Sequence, residues 1–476
     1  MSQVPCRTVA LVSHRRSPRG RRGAHMPGTG PRSRGLLRAP PAEVSRPCPR
    51  SSHRRADVLV RAVNGARNGG ARPYAGGCSA CHDFRSEGCS SPRGARRPGT
   101  RRPVPPAGRG LVIARHRHRV LGDPMPVVSA PVVVLPRHQV TTEEILERIA
   151  KDYPDHPRLA HLGRFIRATT VRTRWYTRPL AEQWHTDGSA AERTRRHLQD
   201  SLELAESAAR GSLLEAGLGP EDVDAVVVAS ATGHTMPGLD VLLLQRLGLR
   251  PSVRRIPVNQ LGCNGGLFSL STAAELVAAR GSTVLVVCAD VFSHYLHRRD
   301  TGLDGMIFKG IIGDAAGACV VGPSARGPRL ELRESWEWLH RGSADVVGSF
   351  TDDDGLHTFN SRRLLTTIAE VMPQVKEWLR RTGTAGEGAG PEFVVSHTGS
   401  SKVLDAVVAG LDADPELFGL ARDSLREVGN VGSVSVLEVM ERTFRKPPQD
   451  GAQGLVVAVG PGVSVMALRG VWHGCG

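Results

Sequence analysis

One cysteine has the surroundings of a catalytic nucleophile. Cys263 stands in the run Leu261-Gly262-Cys263-Asn264-Gly265-Gly266, between a strand-like stretch, 254–258, and an apolar stretch of helix length, 267–279. The pattern predicts a strand, a sharp glycine turn and a buried helix, with the cysteine at the turn. A free cysteine is often only a small buried residue. A helix N-terminus carries partial positive charge, however, so we expect this thiol to ionise easily and act as a nucleophile.

A histidine and an asparagine further along the chain could complete an acyl-transfer site. His397 follows a short apolar stretch, 393–396. Asn430 lies between Gly429 and Val431, at the start of a predicted helix. A thiolate attacks an acyl carbonyl, and a histidine can hold that thiolate as an ion pair. Histidine and asparagine N–H groups can also stabilise an oxyanion or enolate. The simpler interpretations are a structural histidine and an asparagine N-cap.

Papain-like proteases also combine cysteine, histidine and asparagine. The residues around Cys263 do not resemble the cysteine motif of that class. The continuous apolar run 225–229 predicts a strand buried on both faces, which does not suit the papain fold.

Strand and helix patterns alternate from residue 125 to the end, which predicts a layered α/β fold. Thr141 and Glu144 have the spacing of a helix capping box. Because both halves contain buried strands and helices, an internal duplication is plausible, with one half at 125–345 and the other at 346–476. The predicted strands are 132–135, 225–229, 254–258, 283–289, 316–321, 393–396, 454–459 and 463–468. The predicted helices, besides the one after Cys263, are 193–216, 239–247, 364–381, 402–411 and 434–444.

The charge of the chain is concentrated in its first quarter. Residues 1–124 hold 26 Arg, no Lys and 5 acidic residues, whereas residues 125–476 have a net charge of −4. The first segment is rich in Arg, Gly, Pro and Ser and cannot bury much apolar surface, so we expect it to be disordered. It could be a transit peptide, a nucleic-acid-binding tail, a regulatory tail or translated upstream sequence. We favour a mis-assigned start, with Met125 as the true first residue.

The cysteines indicate neither a metal site nor a disulfide framework. The run Cys78-Ser79-Ala80-Cys81-His82, with Cys89 beyond it, has the pattern of haem attachment or a zinc cluster, but a chance match in a low-complexity segment is the simpler interpretation. Besides Cys263, the cysteines after residue 124 are Cys288, Cys319 and Cys475. We therefore expect a cytoplasmic protein without a bound metal. No stretch approaches about 20 apolar residues, so we expect no membrane span.

Seven motifs in order resemble type III polyketide synthases, the chalcone synthase-like enzymes. The resemblance extends from about residue 125 to the C-terminus, and the gaps between the cysteine, histidine and asparagine motifs suit the family. The motifs are Thr235-Met236-Pro237-Gly238-Leu239-Asp240, Leu247-Gly248-Leu249-Arg250-Pro251, Leu261-Gly262-Cys263-Asn264-Gly265-Gly266, Gly313-Asp314-Ala315-Ala316, Ser396-His397-Thr398-Gly399-Ser400-Ser401-Lys402-Val403-Leu404, Gly429-Asn430-Val431-Gly432-Ser433 and Gly460-Pro461-Gly462.

This resemblance implies a thiolase-like, duplicated αβαβα five-layer fold and a homodimer. It implies that Cys263 takes a starter acyl group from coenzyme A, and that His397 and Asn430 promote decarboxylation of malonyl coenzyme A and stabilise the enolate. No metal, redox cofactor, nucleic acid or membrane is implied. Arg172 and Arg174 would bind coenzyme A phosphates, although solvated surface arginines are almost as good an interpretation.

The resemblance also suggests which residues shape the cavity. Ile312, Val459, Gly432 and Thr398 replace residues typical of the family, which favours a starter that is aliphatic or malonyl. Met236 would reach into the partner's cavity. The full set of candidate cavity residues is Met236, Ile312, Thr358, Phe359, Gly432, Gly460, Pro461 and Gly462.

Two other functions remain open from the sequence. A ketoacyl synthase III-like enzyme shares the implied fold and the Cys-His-Asn set but makes one condensation. A non-catalytic nucleic-acid-binding protein would use the Arg-rich first segment, although the negative charge of the remainder opposes this.

Overall fold

A long mixed sheet forms the centre of the protein. The computed structural model describes residues 125–184, 189–352, 355–383 and 390–474. The strands are β1 (Val127–Val128), β2 (Val132–Val134), β3 (His138–Thr141), β4 (Thr173–Tyr176), β5 (Ala225–Ser230), β6 (Arg254–Asn259), β7 (Val284–Asp290), β8 (Ala315–Gly322), β9 (Arg329–Leu339), β10 (Val347–Asp352), β11 (Gly355–Asn360), β12 (Phe393–Ser396), β13 (Gln453–Gly460) and β14 (Ser464–His473).

The helices form three layers, two on the outer faces of this sheet and one between its two parts. They are α1 (Thr142–Asp152), α2 (Leu159–Arg167), α3 (Leu180–Gln183), α4 (Ala190–Ala216), α5 (Leu239–Leu247), α6 (Gly265–Arg280), α7 (Leu303–Ile311), α8 (Leu364–Thr382), α9 (Ser401–Leu411), α10 (Gly419–Val428) and α11 (Ser435–Arg445).

The strand order of the main sheet is β12-β13-β14-β9-β1-β8-β7-β5-β6, and β2 pairs with β8. Strand β5 runs parallel to β6 and β7, and β12 runs parallel to β13. The antiparallel pairs β3–β4 and β10–β11 form two separate small sheets. Polar side chains that follow β6, β7 and β12 therefore lie at the carboxyl ends of parallel strands, where α/β proteins place their sites.

Helices α6 and α11 contact each other and lie between two parts of the sheet, one containing β5, β7 and β8 and the other containing β9, β13 and β14. Helices α4 and α5 cover the outer face of β5, β7 and β8, whereas α8 packs on β9 and β14 and α9 packs on α8. The order is helix, sheet, helix, sheet, helix, which is the five-layer arrangement that the family resemblance implies. The boundary at residue 345 stays a prediction.

Local sequence signals explain most of the element ends. Thr141 and Glu144 form the predicted capping box of α1. Helices α4, α5 and α6 end at Gly217, Gly248 and Gly281, each in the left-handed conformation that glycine adopts without strain. The sequence patterns did not predict β9, the β10–β11 hairpin, α7 or α10.

Several sequence predictions fall outside the described residues. These are the disorder of residues 1–124, the Cys78–His82 motif and Cys475. Within the described part, Cys263, Cys288 and Cys319 are free thiols. None of the described helices combines the length and apolarity needed to cross a membrane.

Candidate active site

The nucleophile candidate lies on a tight turn ahead of a buried helix. Strand β6 ends at Asn259, a 3-10 turn spans Gly262–Asn264, and α6 begins at Gly265. Gly262 has a φ of +52°, and a Cβ at this position would lie 2.6 Å from the Pro461 ring. The missing side chain therefore lets the loop after β13 pack directly against the cysteine turn.

The environment of the Cys263 thiol opposes its ionisation. Burial raises the pKa of Cys263 to about 12, the negative charge of Asp290 adds to this effect, and the hydrogen bond with Asn430 acts in the opposite direction. The expectation of an easily ionised thiol is thus wrong for this structure. The physical reason is that Cys263 precedes the helix rather than lying in its first turn, and loss of hydration disfavours the thiolate.

The His397 ring is buried and accepts one hydrogen bond from the backbone. The backbone N–H of Val459 donates to Nδ1 of His397 over 3.2 Å. Burial lowers the pKa of His397 to about 4, so the ring is neutral near pH 7. Because Nδ1 accepts a hydrogen bond, the single ring proton resides on Nε2. The predicted thiolate–imidazolium pair is therefore not the favoured protonation state of this structure.

The amide group of Asn430 lies beside the thiol, and Sγ of Cys263 donates to Oδ1 of Asn430 over 3.9 Å. The backbone N–H of Gly432 donates to Oδ1 over 2.9 Å, which identifies the other amide atom as Nδ2. Nδ2 donates to the carbonyl of Gly399 over 3.2 Å and lies 4.0 Å from Sγ of Cys263. Asn430 is not a helix N-cap, because α11 begins only at Ser435.

The backbone on both sides of Asn430 is fixed by a neighbouring segment. Its N–H donates to the carbonyl of Ile311 over 2.8 Å, and its carbonyl accepts from the N–H of Gly313 over 3.0 Å. Ile312 itself is fully buried between these bonds. The aliphatic residue at this position thus belongs to the segment that holds the asparagine.

Shared neighbours bring the three candidate residues together. Gly399 accepts from Asn430, and a Cβ at Gly399 would lie 2.6 Å from Nε2 of His397. The segment after β13 binds His397 through Val459 and packs on the cysteine turn through Pro461. The structure therefore places Cys263 beside Asn430 and links both to His397 through these shared neighbours.

A buried carboxylate that sequence analysis missed ties these loops together. Asp290, at the end of β7, accepts from the N–H of Ser433 over 2.7 Å and from its hydroxyl over 2.8 Å. Its other oxygen accepts from the N–H groups of Ala231 and Thr232. Burial raises the pKa of Asp290, and these hydrogen bonds oppose the shift. An aspartate at the carboxyl end of an apolar strand was the available signal.

The candidate cavity residues occupy different kinds of position. Gly432 has a φ of +59°, and a Cβ there would lie 2.4 Å from Oδ2 of Asp290 and 2.8 Å from the Phe292 ring. Thr358 and Phe359 are half-buried on β11, and the Phe359 ring lies across Gly348. Met236 is 98% exposed.

The glycines of the loop after β13 serve close packing. A Cβ at Gly460 would lie 2.7 Å from Nδ2 of Asn264. The N–H of Gly462 donates to the carbonyl of Val347 over 2.9 Å, and this residue has a φ of +64°. With Pro461 on the cysteine turn, the whole Gly460–Gly462 loop borders the site.

The two arginines predicted to bind phosphate lie in different environments. Arg172 is exposed and lines a groove of about 490 Å³ together with Arg167 and Arg426, two residues that sequence analysis missed. Arg174 is fully buried, and its guanidinium donates to the carbonyl of Gly310 and the hydroxyl of Thr142. Arg174 is therefore not accessible to a phosphate in this structure.

The five layers and the clustered Cys263, His397 and Asn430 are those of a thiolase-like acyltransferase. A family model described as "Chalcone and stilbene synthases, N-terminal domain" matches residues 127–325. A 1,3,6,8-tetrahydroxynaphthalene synthase of Streptomyces peucetius subsp. caesius is 31% identical over 356 residues, which cover 73% of this chain and 93% of that protein. The chain therefore belongs to the chalcone and stilbene synthase family, the type III polyketide synthases.

Further relatives agree with this membership. A phloroglucinol synthase of Pseudomonas fluorescens is 29% identical over 350 residues, covering 73% of this chain and 99% of that one. The crystal structure of 1,3,6,8-tetrahydroxynaphthalene synthase from Streptomyces coelicolor, a bacterial type III polyketide synthase, superposes with a TM-score of 0.70. It has 27% identity and covers 73% of this chain and 99% of its own. These relatives favour the polyketide interpretation over a single condensation or nucleic-acid binding.

Proposed function

We propose that this enzyme loads an acyl group from coenzyme A onto Cys263 and extends it with malonyl coenzyme A in repeated decarboxylative condensations, followed by cyclisation. The observation that carries the proposal is the arrangement of two N–H donors, Nε2 of His397 and Nδ2 of Asn430, around Gly399 beside the thiol. N–H donors close to a nucleophile suit a reaction that develops charge on a carbonyl oxygen.

Acyl loading exchanges one thioester for another. Sγ of Cys263 bonds to the acyl carbon, the bond to the coenzyme A sulfur breaks, and the proton that leaves the cysteine is matched by the proton that coenzyme A gains. His397 and Asn430 donate to the carbonyl oxygen, which carries negative charge in the tetrahedral intermediate.

Chain extension uses the same two donors. Malonyl coenzyme A loses carbon dioxide, and the resulting enolate oxygen accepts from Nε2 of His397 and Nδ2 of Asn430. The enolate carbon attacks the thioester on Cys263, the carbon–sulfur bond breaks, and Cys263 leaves as a thiolate that can be loaded again. The reaction needs no metal or redox cofactor, since the carboxylate leaving as carbon dioxide supplies the electron pair.

The groove beside Arg172 is the proposed site for the coenzyme A phosphates. Arg167, Arg172 and Arg426 line it, and guanidinium groups bind phosphate with charge-assisted hydrogen bonds. Arg167 also donates to Glu143, with 2.7 Å between Nη2 and Oε2, so a phosphate would compete with this pair. Arg174 has no place in this part of the proposal.

Packing beside Asn430 favours a small starter. The Phe292 ring lies where a side chain at position 432 would be, and it packs edge-to-face on Phe308 with centroids 5.8 Å apart. Two of the relatives are named for polyhydroxylated aromatic products. We infer that malonyl or a short aliphatic acyl group is the starter.

We also infer that the protein is a homodimer in which Met236, a 98% exposed residue, contacts the second copy of the chain.

The test is mass spectrometry of the full chain incubated with a panel of acyl coenzyme A starters and malonyl coenzyme A. An acyl mass on the Cys263 peptide, together with released multi-unit products, is expected. Products of one extension only would indicate a ketoacyl synthase-like enzyme, and no acyl mass would refute the proposal.

Matched variants assign the acylation to one thiol. Cys263→Ala should abolish loading and all product formation. Cys288→Ala removes a buried strand thiol and should retain both, because that thiol lies inside β7. Loading that persists in Cys263→Ala would refute the role of Cys263.

A further inference from the structure

Two histidines and one aspartate, from two segments of the chain, lie close together and do not belong to the Cys263, His397 and Asn430 set. His297 and Asp300 lie in the loop before α7, and His357 lies in the middle of β11. One ligand atom from each of the three side chains lies within 4.8 Å of the other two. The imidazole centroids are 4.5 Å apart with the rings at 71°. Two imidazoles and one carboxylate are a ligand set of Zn²⁺ and related divalent ions.

The separation of these atoms is close to that of a metal site. With metal–ligand bonds of about 2.0–2.1 Å and tetrahedral angles, ligand atoms lie about 3.4 Å from one another. The longest separation would need to shorten by about 1.4 Å at most, which side-chain rotation can supply. His297 is buried, and Asp300 and His357 are half-buried, so an ion here would be partly shielded from water.

Neighbouring groups orient two of the three side chains. Nε2 of His357 lies 3.0 Å from a carboxylate oxygen of Asp352. This contact occupies Nε2, so Nδ1 is the ring nitrogen of His357 that can bind an ion. A carboxylate on the outer nitrogen is the usual partner of a metal-binding histidine, because it fixes the tautomer and orients the ring. The Phe350 ring stacks on His357 with centroids 5.0 Å apart. Gly305 leaves room for the Asp300 carboxylate, since a Cβ there would lie 1.9 Å from Oδ2.

We propose that His297, Asp300 and His357 bind one divalent transition-metal ion, with Zn²⁺ as the representative ion. The ion joins the loop before α7 to the β10–β11 hairpin, which also carries Thr358 and Phe359. Its role is to hold that hairpin in place, and no step of acyl transfer passes through it. The proposal does not depend on the proposed function, because the measured quantity is metal content.

The first test is the zinc content of the untagged full chain. The protein is equilibrated with Zn²⁺ alone, freed of excess ion by gel filtration and analysed for metal by mass spectrometry. Asp300→Asn and His357→Ala should each retain one equivalent less than the unchanged protein, whereas His340→Ala should equal it. His340 is a suitable control because it pairs with a single carboxylate, Glu370, at 3.5 Å. Equal zinc content in all four chains would overturn the proposal.

A second test uses the unchanged protein alone, so a variant that fails to fold does not affect it. Histidines are modified with diethyl pyrocarbonate, with and without Zn²⁺, and mapped by peptide mass spectrometry. Zinc should reduce modification of His357 and His297 at least five-fold and leave His340 unchanged. Zinc bound elsewhere, for example by Cys78 and Cys81, would not protect these histidines. Unchanged modification of His297 and His357 would overturn the proposal.

Discussion

Two short 3-10 turns, each leading into a helix, meet in the candidate active site, and different contacts hold them in place. The turn Gly262–Asn264 leads into α6, and the turn Gly432–Val434 leads into α11. The first turn packs against Pro461, and Nδ2 of Asn264 donates to the carbonyl of Ser464 over 3.1 Å and to its hydroxyl over 2.8 Å. The second is held by hydrogen bonds from Ser433 to the buried Asp290 carboxylate. The second turn also packs on the start of α6, where a Cβ at Gly266 would lie 2.2 Å from the carbonyl oxygen of Ser433.

The difference corresponds to what each turn carries. The turn held by Pro461 and by neutral hydrogen-bond acceptors bears the Cys263 thiol, which must reach a carbonyl carbon. The turn held by a buried carboxylate follows Asn430, whose amide must point at a developing oxyanion, and preorganised donors stabilise such charge best. Asp290, with its network of donors, thus holds the segment next to the amide.

The largest expected effect is the loss of the Asn430 donor. Asn430→Asp keeps the size and the Oδ1 acceptor but removes the Nδ2 donor. We expect extension to slow by about 10²–10³-fold, the usual effect of removing one oxyanion donor. Rates of decarboxylation and extension with malonyl coenzyme A measure this, and loading of Cys263, followed by mass spectrometry, should change less. Near-normal extension would contradict the assigned role.

The next effect is on the turn Gly432–Val434, which the Asp290 carboxylate holds. Asp290→Ala leaves the N–H groups of Ala231, Thr232 and Ser433 without their acceptor. Each such buried group costs about 1–3 kcal/mol, so we expect the free energy of unfolding to fall by about 3 kcal/mol or more. Urea denaturation measures this. Asp224→Ala is the control, because this exposed aspartate also accepts a backbone N–H, that of Thr283, and pairs with Arg250; it should cost less than Asp290→Ala, since water can replace these contacts at the surface.

Three glycines separate backbone strain from close packing. Gly262, Gly281 and Gly432 all have positive φ, but only Gly281 has no atom within 4 Å of the Cβ position. Gly281→Ala should therefore cost about 1–2 kcal/mol from the backbone alone. Gly262→Ala and Gly432→Ala should cost about 1–3 kcal/mol more, because the methyl group meets Pro461 or Asp290. Equal losses at all three positions, measured by thermal denaturation, would show that packing contributes nothing.

The most gradual effect is a pH dependence of stability. The pKa of His397 is about 4 in the folded protein and about 6.5 in an unfolded chain. Between these values the unfolded state binds the proton and the folded state does not, so stability falls as pH decreases from about 6.5 to about 4. Burial acts on His197 in the same way, lowering its pKa to about 3.

Denaturant titrations at several pH values would isolate the contribution of His397. We expect the decline in unfolding free energy on acidification to be shallower in His397→Gln by up to about 1.4 kcal/mol per pH unit. An unchanged slope would mean that His397 is not buried in its neutral form.

Much of the fold was predictable because buried strands and long helices leave local patterns. The strands Phe393–Ser396 and Ala225–Ser230 and the helix Leu239–Leu247 lie where the apolar runs and the glycine stop signals predicted them. The β10–β11 hairpin was missed. Its strands form a separate two-stranded sheet, and three successive aspartates, 352–354, interrupt the apolar pattern between them.

The sequence by itself determined the identities of Cys263, His397 and Asn430 and their order on an α/β chain, because each lies at the end of a recognisable element. Only the tertiary structure decided the protonation of the thiol and imidazole, since desolvation depends on residues from distant segments. The same holds for the burial of Arg174 and for the role of Asp290. Their contacts come from β5, α7 and the turn before α11, which the chain brings together only when the layers pack.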